Sequence, residues 1–155
     1  MIKIGLIGFG KMGKIRFEEL KVLNNCHIVK IYDPLYIKNK DKLFCSKAEE
    51  IYNSKDIDAV FISAPNYKNK QLTINCLLND KHVFCEKPPA LNSIELKEVI
   101  QVENKSDKVL MYGFNHRQHG SIKLAKEAVD SGEFGKVLWM RGRYGKSVDK
   151  EFFNN

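Results

Sequence analysis

A glycine-rich segment near the start of the chain has the spacing of a phosphate-binding loop. Gly8, Phe9, Gly10, Lys11, Met12 and Gly13 form the pattern G-x-G-x-x-G, which follows an apolar run and precedes a helical stripe. In that setting the first glycine permits a tight turn, the second lets a pyrophosphate approach, and the third lets the helix pack closely on the sheet. The start of the helix would offer free N–H groups to the phosphates. We predict that these six residues bind a dinucleotide.

An acidic residue, Asp33, follows the next apolar run and lies 20 positions beyond Gly13. That spacing suits a carboxylate that accepts hydrogen bonds from the adenosine ribose hydroxyls and repels a 2′-phosphate. We therefore predict NAD as the cofactor and NADP as the less favoured one, a preference that the nearby Lys38 and Lys40 weaken. The alternative is a structural turn formed by Asp33 and Pro34.

A lysine, Lys87, stands in the segment Glu86-Lys87-Pro88-Pro89, directly after another apolar run. Ligands of open α/β sheets bind beyond the carboxyl ends of the strands, so Lys87 would bring a cation to the cleft. A lysine there can donate a hydrogen bond to a substrate hydroxyl or move a proton. The alternative is a surface Glu–Lys pair before a proline.

The elements that must position these residues alternate along the chain. Apolar runs predict six strands, at residues 2–8, 27–32, 43–45, 58–63, 81–85 and 109–113. Helical stripes and caps predict helices at residues 11–23, from a capping box at 46–49, at 67–78, from a cap at 92–95 to about 104, and at 121–131. This alternation predicts an α/β fold with a doubly wound parallel sheet, a Rossmann domain, over residues 1–135. An extended segment at 136–144 would extend this sheet or begin a second one.

The composition limits the other function classes. The chain has 155 residues, 26 of them Lys or Arg against 19 Asp or Glu, for a net charge of +7. Because the lysines are spread without a block, we interpret the charge as a solvated surface and predict no nucleic-acid partner. No apolar run approaches the roughly 18 residues of a membrane span. The four cysteines form no C-x-x-C pair, and without a signal peptide pattern we predict a cytoplasmic protein.

Several segments together resemble the Gfo/Idh/MocA oxidoreductases, a family that includes glucose–fructose oxidoreductase and inositol dehydrogenases. The segments that carry the resemblance are Ile7 to Gly13, Ser63-Ala64-Pro65-Asn66, Lys81 to Pro88, Gly113-Phe114-Asn115-His116-Arg117, and Ser131 to Lys136. The resemblance implies an NAD(P)-dependent enzyme that transfers hydride to or from a hydroxyl carbon of a sugar, a polyol or a sugar derivative.

The resemblance also assigns roles to individual residues beyond the glycine loop. Ala64, Pro65 and Asn66 would lie along the cofactor, and Glu86 would lie near the nicotinamide ribose. Lys87 would be the catalytic residue that faces nicotinamide and substrate, and the Lys87–Pro88 bond is often cis in such proteins.

Residues after the sixth run would contribute to the substrate cleft. The resemblance places Asn115 and Arg117 there, and the alternative for this segment is a loop that caps the sheet edge. His116 and His119 have no Cys or carboxylate near them in sequence, so we predict no metal site.

The sequence departs from the family's pattern in two places. Many members have a His in the neighbourhood that reads Tyr67-Lys68-Asn69-Lys70 here, which predicts the loss of one cofactor-side contact. The family also places its catalytic Asp and His in a second, α+β domain. Residues 136–155 would be only the start of that domain, and Trp139 to Tyr144 resembles its first strand. We therefore expect a fragment with very low turnover by itself, from a longer chain that forms homo-oligomers. The alternative is a free-standing dinucleotide-binding module without catalysis of its own.

Overall fold

The computed structural model describes residues 1–143 and residue 145. The chain divides into two compact units, the first covering Met1–Phe114 and the second beginning at Asn115. No helix among the described residues is long and apolar enough to cross a membrane. The predicted domain boundary near residue 135 stays a prediction.

The first unit alternates strands and helices as the sequence predicts. Its strands are β1 (Ile2–Ile7), β2 (Cys26–Tyr32), β3 (Ala59–Ile62), β4 (His82–Cys85) and β5 (Leu110–Tyr112). Its helices are α1 (Lys11–Lys21), α2 (Glu49–Tyr52), α3 (Asn66–Leu78) and α4 (Ser93–Glu103), with a short 3-10 helix at Pro34–Tyr36. All the strand pairs are parallel, and the sheet order is β2-β1-β3-β4-β5. The predicted doubly wound α/β fold is confirmed.

The predicted strand at residues 43–45 is wrong, because only one residue of it pairs with the sheet. Phe44 forms a single parallel bridge to Ile31 at the outer edge of β2. The Ile31 N–H donates to the Leu43 carbonyl at 2.7 Å and the Cys45 N–H donates to the Ile31 carbonyl at 2.8 Å. Beyond this bridge the chain turns away toward α2, so no longer ladder forms and the sheet has five strands.

Side chains on alternate positions of β1 pack into two separate cores, which is the mark of a sheet covered on both faces. Ile4 and Leu6 pack with Leu20 of α1 in one core. Ile7 packs in the other core with residues of α2 and α3, such as Ile51 and Cys76. Helices therefore pack on both faces of the sheet. The loops at its carboxyl edge begin from strands that are buried in these two cores.

The two predicted helix caps have different outcomes. Asn92 caps α4, since its side chain accepts a hydrogen bond from the Glu95 N–H at 2.9 Å and Glu95 accepts one from the Leu91 N–H. The predicted box at residues 46–49 is wrong in its acidic partner. The carboxylate of Glu50, one residue further, accepts hydrogen bonds from the backbone and hydroxyl of Ser46. The helix then starts at Glu49 because the cap position falls on Ala48.

The second unit contains a 3-10 helix at Asn115–Gln118 and the helix α5 (Gly120–Asp130). The described residues 136–143 of the expected strand form none, and Tyr144 lies outside the described residues. A strand is defined by its hydrogen bonds to a neighbour, and the described part of the chain provides no neighbour for this segment.

Candidate functional site

The glycine loop between β1 and α1 is held by close approaches of backbone to backbone. Gly8 has a φ of +94°, and a Cβ atom there would collide with the Ser63 carbonyl oxygen. A Cβ atom on Gly13 would collide with the Gly8 carbonyl oxygen. Only glycine fits these two positions, the first for its φ and both for the contact distances. The second glycine of the motif, Gly10, faces open space, with no heavy atom within 4 Å of its Cβ position.

The start of α1 is available to an anionic ligand. Gly10 is the N-cap residue, and no side chain accepts a hydrogen bond at this end of the helix. Lys11 and Met12 in the first turn are exposed. The first N–H groups of α1 and the positive end of the helix dipole can therefore meet an anionic ligand.

Asp33 is anchored by the backbone at the end of β2. Its Oδ2 accepts a hydrogen bond from the Phe9 N–H at 2.6 Å, and its Oδ1 accepts one from the Leu35 N–H at 2.8 Å. The residue is buried, with 8% of its surface exposed. Asp33 thus ties the glycine loop to the neighbouring strand, which is a structural role besides the predicted ribose contact.

The Phe9 ring is part of the protein core. It packs edge-on against three other rings, those of Phe17, Tyr36 and Phe44, with centroids 5.4–5.5 Å apart. The side chain of Phe9 therefore packs in the core beneath the loop. The backbone N–H of Phe9 donates its hydrogen bond to Asp33.

A groove of about 800 Å³ lies beside the glycine loop. Five of the predicted cofactor residues line it: Gly8, Gly10, Asp33, Ala64 and Pro65. The opposite wall comes from α2 and α3, with Tyr52, Tyr67 and Leu72 among its residues. Its size falls within the range of small-molecule sites. A bare helix N-terminus, an open glycine and a carboxylate in one groove fit the phosphates and ribose of a dinucleotide.

The turn Glu86-Lys87-Pro88 follows β4 at the same edge of the sheet. Lys87 is exposed, and its bond to Pro88 is cis, as the resemblance implied. Asn66, the first residue of α3, is also exposed. Neither Lys87 nor Asn66 lines the groove described above, and Glu86 is buried below the surface.

An ion pair that the sequence analysis missed joins this turn to α1. The Arg16 guanidinium donates two hydrogen bonds to Oε1 of Glu86, from Nε at 2.9 Å and from Nη2 at 2.6 Å. The side chains of Arg16 and Glu86 are 25% and 12% exposed, and the guanidinium stacks 4.8 Å above the Phe84 ring. A Cβ atom on Gly113 would lie 2.8 Å from Oε2 of Glu86, so this glycine makes room for the carboxylate. Arg16 lies three residues after Gly13, on the face of α1 that meets the sheet, and that spacing could have indicated it.

A second missed contact comes from α3. Asn69 is fully buried, and its Nδ2 donates hydrogen bonds to the carbonyl oxygens of Glu86, at 3.1 Å, and of Pro88, at 2.8 Å. Residues 67–70 are predicted from the sequence to lack one cofactor-side contact. The structure instead places Asn69 against the Glu86–Pro88 turn, outside the groove lining.

The predicted substrate residues lie in the second unit. Asn115 and Arg117 are exposed on the 3-10 helix, and their roles stay predictions. The rings of His116 and His119 lie 5.1 Å apart. Within residues 1–143, no group of three His, Cys, Asp or Glu side chains could hold a metal ion.

All four cysteines are free and buried, as packed thiols in the core. Burial raises the pKa of both Cys76 and Cys85 to about 12. These thiols are therefore protonated near neutral pH, and neither is a nucleophile.

Comparison with known proteins identifies the family of the chain. Residues 2–114 match the model of the Gfo/Idh/MocA oxidoreductase family, described as having an NAD-binding Rossmann fold. The chain is 35% identical to a myo-inositol 2-dehydrogenase of Thermotoga maritima, over 90% of this chain and 44% of that protein. It is 30% identical to an inositol 2-dehydrogenase of Salmonella typhimurium, over 97% of this chain and 48% of that protein.

Solved structures give the same result. The scyllo-inositol dehydrogenase of Lactobacillus casei, solved with bound NAD(H) and scyllo-inositol, superimposes with a TM-score of 0.76 at 28% identity. The match covers 87% of this chain and 42% of that one, so the chain spans about half the length of the relatives it matches. With the glycine loop, the parallel sheet and the family match in agreement, this chain belongs to the Gfo/Idh/MocA oxidoreductases and contains their NAD-binding Rossmann domain.

Proposed function

We propose that this chain is the cofactor-binding part of an NAD-dependent oxidoreductase that acts on a hydroxyl carbon of a polyol or sugar. The inositol dehydrogenases among its relatives make a cyclic polyol the first substrate class to test. The observation that carries the proposal is the meeting, at one edge of the sheet, of the glycine loop, Asp33 and the Lys87 turn. This is the edge at which open α/β sheets bind their ligands.

The start of α1 and Asp33 would bind different parts of the dinucleotide. The bare start of α1, with Lys11 and Met12, would hold the pyrophosphate, and Gly10 leaves room for its approach. Asp33 would accept hydrogen bonds from the adenosine ribose with the lone pairs that the backbone leaves free. Carboxylate oxygens accept about two hydrogen bonds each, so the anchoring of Asp33 does not exclude this contact.

The remaining predicted residues would line the path of the cofactor. Ala64, Pro65 and Asn66 follow β3 and lead into α3, so they can lie beside the nicotinamide half. Glu86 would contact the ribose of that half with Oε2, the oxygen that Arg16 does not bind.

Lys87 would act on the substrate. Its ammonium group is exposed at the carboxyl edge, where it can donate a hydrogen bond to a substrate hydroxyl and orient it. When bound, NAD supplies the hydride acceptor. We propose no general base among the residues that the structure describes, and we expect the 155 residues alone to turn over very slowly.

Comparison of NADH with NADPH tests the proposal. Titration of the chain with each nucleotide, followed by nicotinamide fluorescence, should give saturable binding of NADH. We expect NADPH to bind at least about tenfold more weakly, because the carboxylate of Asp33 would repel the 2′-phosphate. Equal or tighter binding of NADPH would contradict the role given to Asp33, and no binding of either nucleotide would contradict the proposed function.

A further inference from the structure

We propose that Asn69 is a positioning residue for Lys87, which it holds by clamping the backbone on both sides of the lysine. The inference rests on the function proposed above, since it concerns the residue that would face nicotinamide and substrate. It assigns to Asn69 a role apart from cofactor contact.

The geometry of the clamp is specific to the turn. The two Nδ2 hydrogen bonds of Asn69 end on the carbonyl oxygens of Glu86 and Pro88, the residues immediately before and after Lys87. Asn69 lies in the first half of α3, so these contacts join a rigid helix to the turn. One amide group thus restrains both ends of a three-residue segment.

The lysine itself is not restrained by its own side chain. No hydrogen bond or ion pair links the Lys87 ammonium to another described residue, and the side chain is exposed. Its root position is therefore determined by the backbone of Glu86 and Pro88. Besides Asn69, the Glu86 carbonyl accepts a long contact from the Cys85 thiol at 3.4 Å, and the Glu86 side chain is bound to Arg16.

The orientation of the Asn69 amide follows from the same contacts. Both groups that face it from the turn are carbonyl oxygens, which only accept hydrogen bonds, so the NH₂ group must point to them. Oδ1 of Asn69 is then buried on the other side with no hydrogen-bond partner. A buried acceptor without a hydrogen-bond partner destabilises the fold. Asn69 keeps this unfavourable orientation because it lets Nδ2 bond to both carbonyl oxygens of the turn.

A pair of ligands separates positioning from general stability. NADH reaches the nicotinamide end of the site, whereas ADP-ribose has the same adenosine and phosphates and lacks the nicotinamide. In the Asn69→Leu variant of the 155-residue chain, we expect the Kd of NADH to rise about tenfold and that of ADP-ribose to change less than about twofold. Calorimetric titration measures both constants, and the Asn69→Asp variant, whose carboxylate repels both carbonyls, should give the same pattern.

Thr73→Val is the matched control. Thr73 lies one turn further along α3, is as fully buried as Asn69, and makes no hydrogen bond to the turn. The substitution keeps the shape and removes a buried polar atom, so the ratio of the two Kd values should stay that of the wild type.

The outcomes are distinct. The positioning role would be overturned if the Asn69 variants lost affinity for NADH and ADP-ribose equally, or if folded variants lost no affinity for NADH. A wild-type chain that binds neither ligand would contradict the proposed function instead. If both variants fail to fold, NMR of the wild type decides. The two Asn69 side-chain amide protons should exchange slowly and show coupling across hydrogen bonds to the Glu86 and Pro88 carbonyl carbons, and rapid exchange without coupling would overturn the clamp.

Discussion

The glycine loop after β1 and the Lys87 turn after β4 lie at the same edge of one sheet, but they are held by different means. The loop is fixed by backbone pressed on backbone, at Gly8 against Ser63 and at Gly13 against Gly8. The turn is fixed by two side chains that reach it from helices, Arg16 from α1 and Asn69 from α3.

This difference determines what each region tolerates. Positions in the loop that approach another backbone tolerate no side chain at all, whatever its chemistry. The side chains that hold the turn are less constrained in shape, but they must supply N–H donors. The following substitutions test the two halves of this contrast, beginning with the largest expected effect.

Gly8→Ala should be the most damaging single change. The new Cβ atom would collide with the Ser63 carbonyl, and the residue would keep a φ of +94° that alanine disfavours. We expect the free energy of unfolding to fall by about 3 kcal/mol or more, by analogy with other strained or overpacked positions, together with loss of NADH binding. Urea unfolding and NADH titration measure the two effects.

Gly10→Ala is the control from the same loop. Its Cβ atom would enter open space, and the backbone of Gly10, at φ −72° and ψ −160°, is accessible to alanine. The free energy of unfolding should change by less than about 1 kcal/mol, while NADH binding weakens because the Cβ atom stands where the phosphates approach. Equal destabilisation by the two substitutions would contradict the contact-based account of the loop.

Arg16→Met should lower the free energy of unfolding, measured by urea unfolding, because it leaves the nearly buried Glu86 carboxylate without its ionic partner. Complete removal of one partner from a buried pair costs about 3–5 kcal/mol, and the partial exposure of Arg16 reduces the expected loss to about 1–3 kcal/mol. Adding Glu86→Gln, which removes the unpaired charge, should restore part of this loss in a double-mutant cycle. An additive cycle would show that the ion pair does not stabilise the turn.

The thiol of Cys85, directly before the turn, predicts a pH effect on stability. Burial raises its pKa from an ordinary value of 9.0 to about 12 in the folded chain. Between these two values the unfolded chain loses this proton while the folded chain keeps it, so stability declines as pH rises from 9 toward 12. The contribution of one such thiol approaches about 1.4 kcal/mol per pH unit within this window.

Cys85→Ala isolates this contribution from the other groups that titrate at high pH. The variant should be less stable than the wild type at pH 8, because of the cavity, and the gap should narrow as pH rises above 9. Urea unfolding at several pH values measures it. Parallel pH profiles for the two proteins would contradict the raised pKa of Cys85.

The position and turn geometry of the glycine loop could be predicted because their signal is a short spacing pattern in one segment of the sequence, and the binding role of the loop stays a prediction. The spacing of Gly8, Gly10 and Gly13 and the position of Asp33 follow from neighbours in sequence, and the strand and helix on either side have regular apolar patterns. The Asn92 cap was predictable for the same reason. The patterns that predict these features are short, although the contacts that hold the loop, from Gly8 to Ser63 and from Phe9 to Asp33, reach further along the chain.

The contacts that hold the turn were not predictable in the same way. Arg16 and Glu86 are 70 residues apart and Asn69 and Pro88 are 19 apart. No sequence pattern marks either pair, so only the folded chain reveals their pairing. The short run at 43–45 failed for a related reason. Its pattern suits a strand, but only Phe44 pairs with β2 before the chain continues toward α2. The sequence pattern does not show where this pairing stops.

The central claim, that the carboxyl edge of the sheet binds NAD through the glycine loop, is tested most directly by NMR. In a titration of the ¹⁵N-labelled chain with NADH, the amide signals of Gly8, Gly10 and Gly13, and those after β3 and β4, should shift and saturate together. The opposite edge of the sheet also has a cleft, lined by Lys55, His82 and Lys108 among others, and its signals should stay in place. Shifts confined to that opposite cleft, or no saturable shifts at all in the folded chain, would contradict the account.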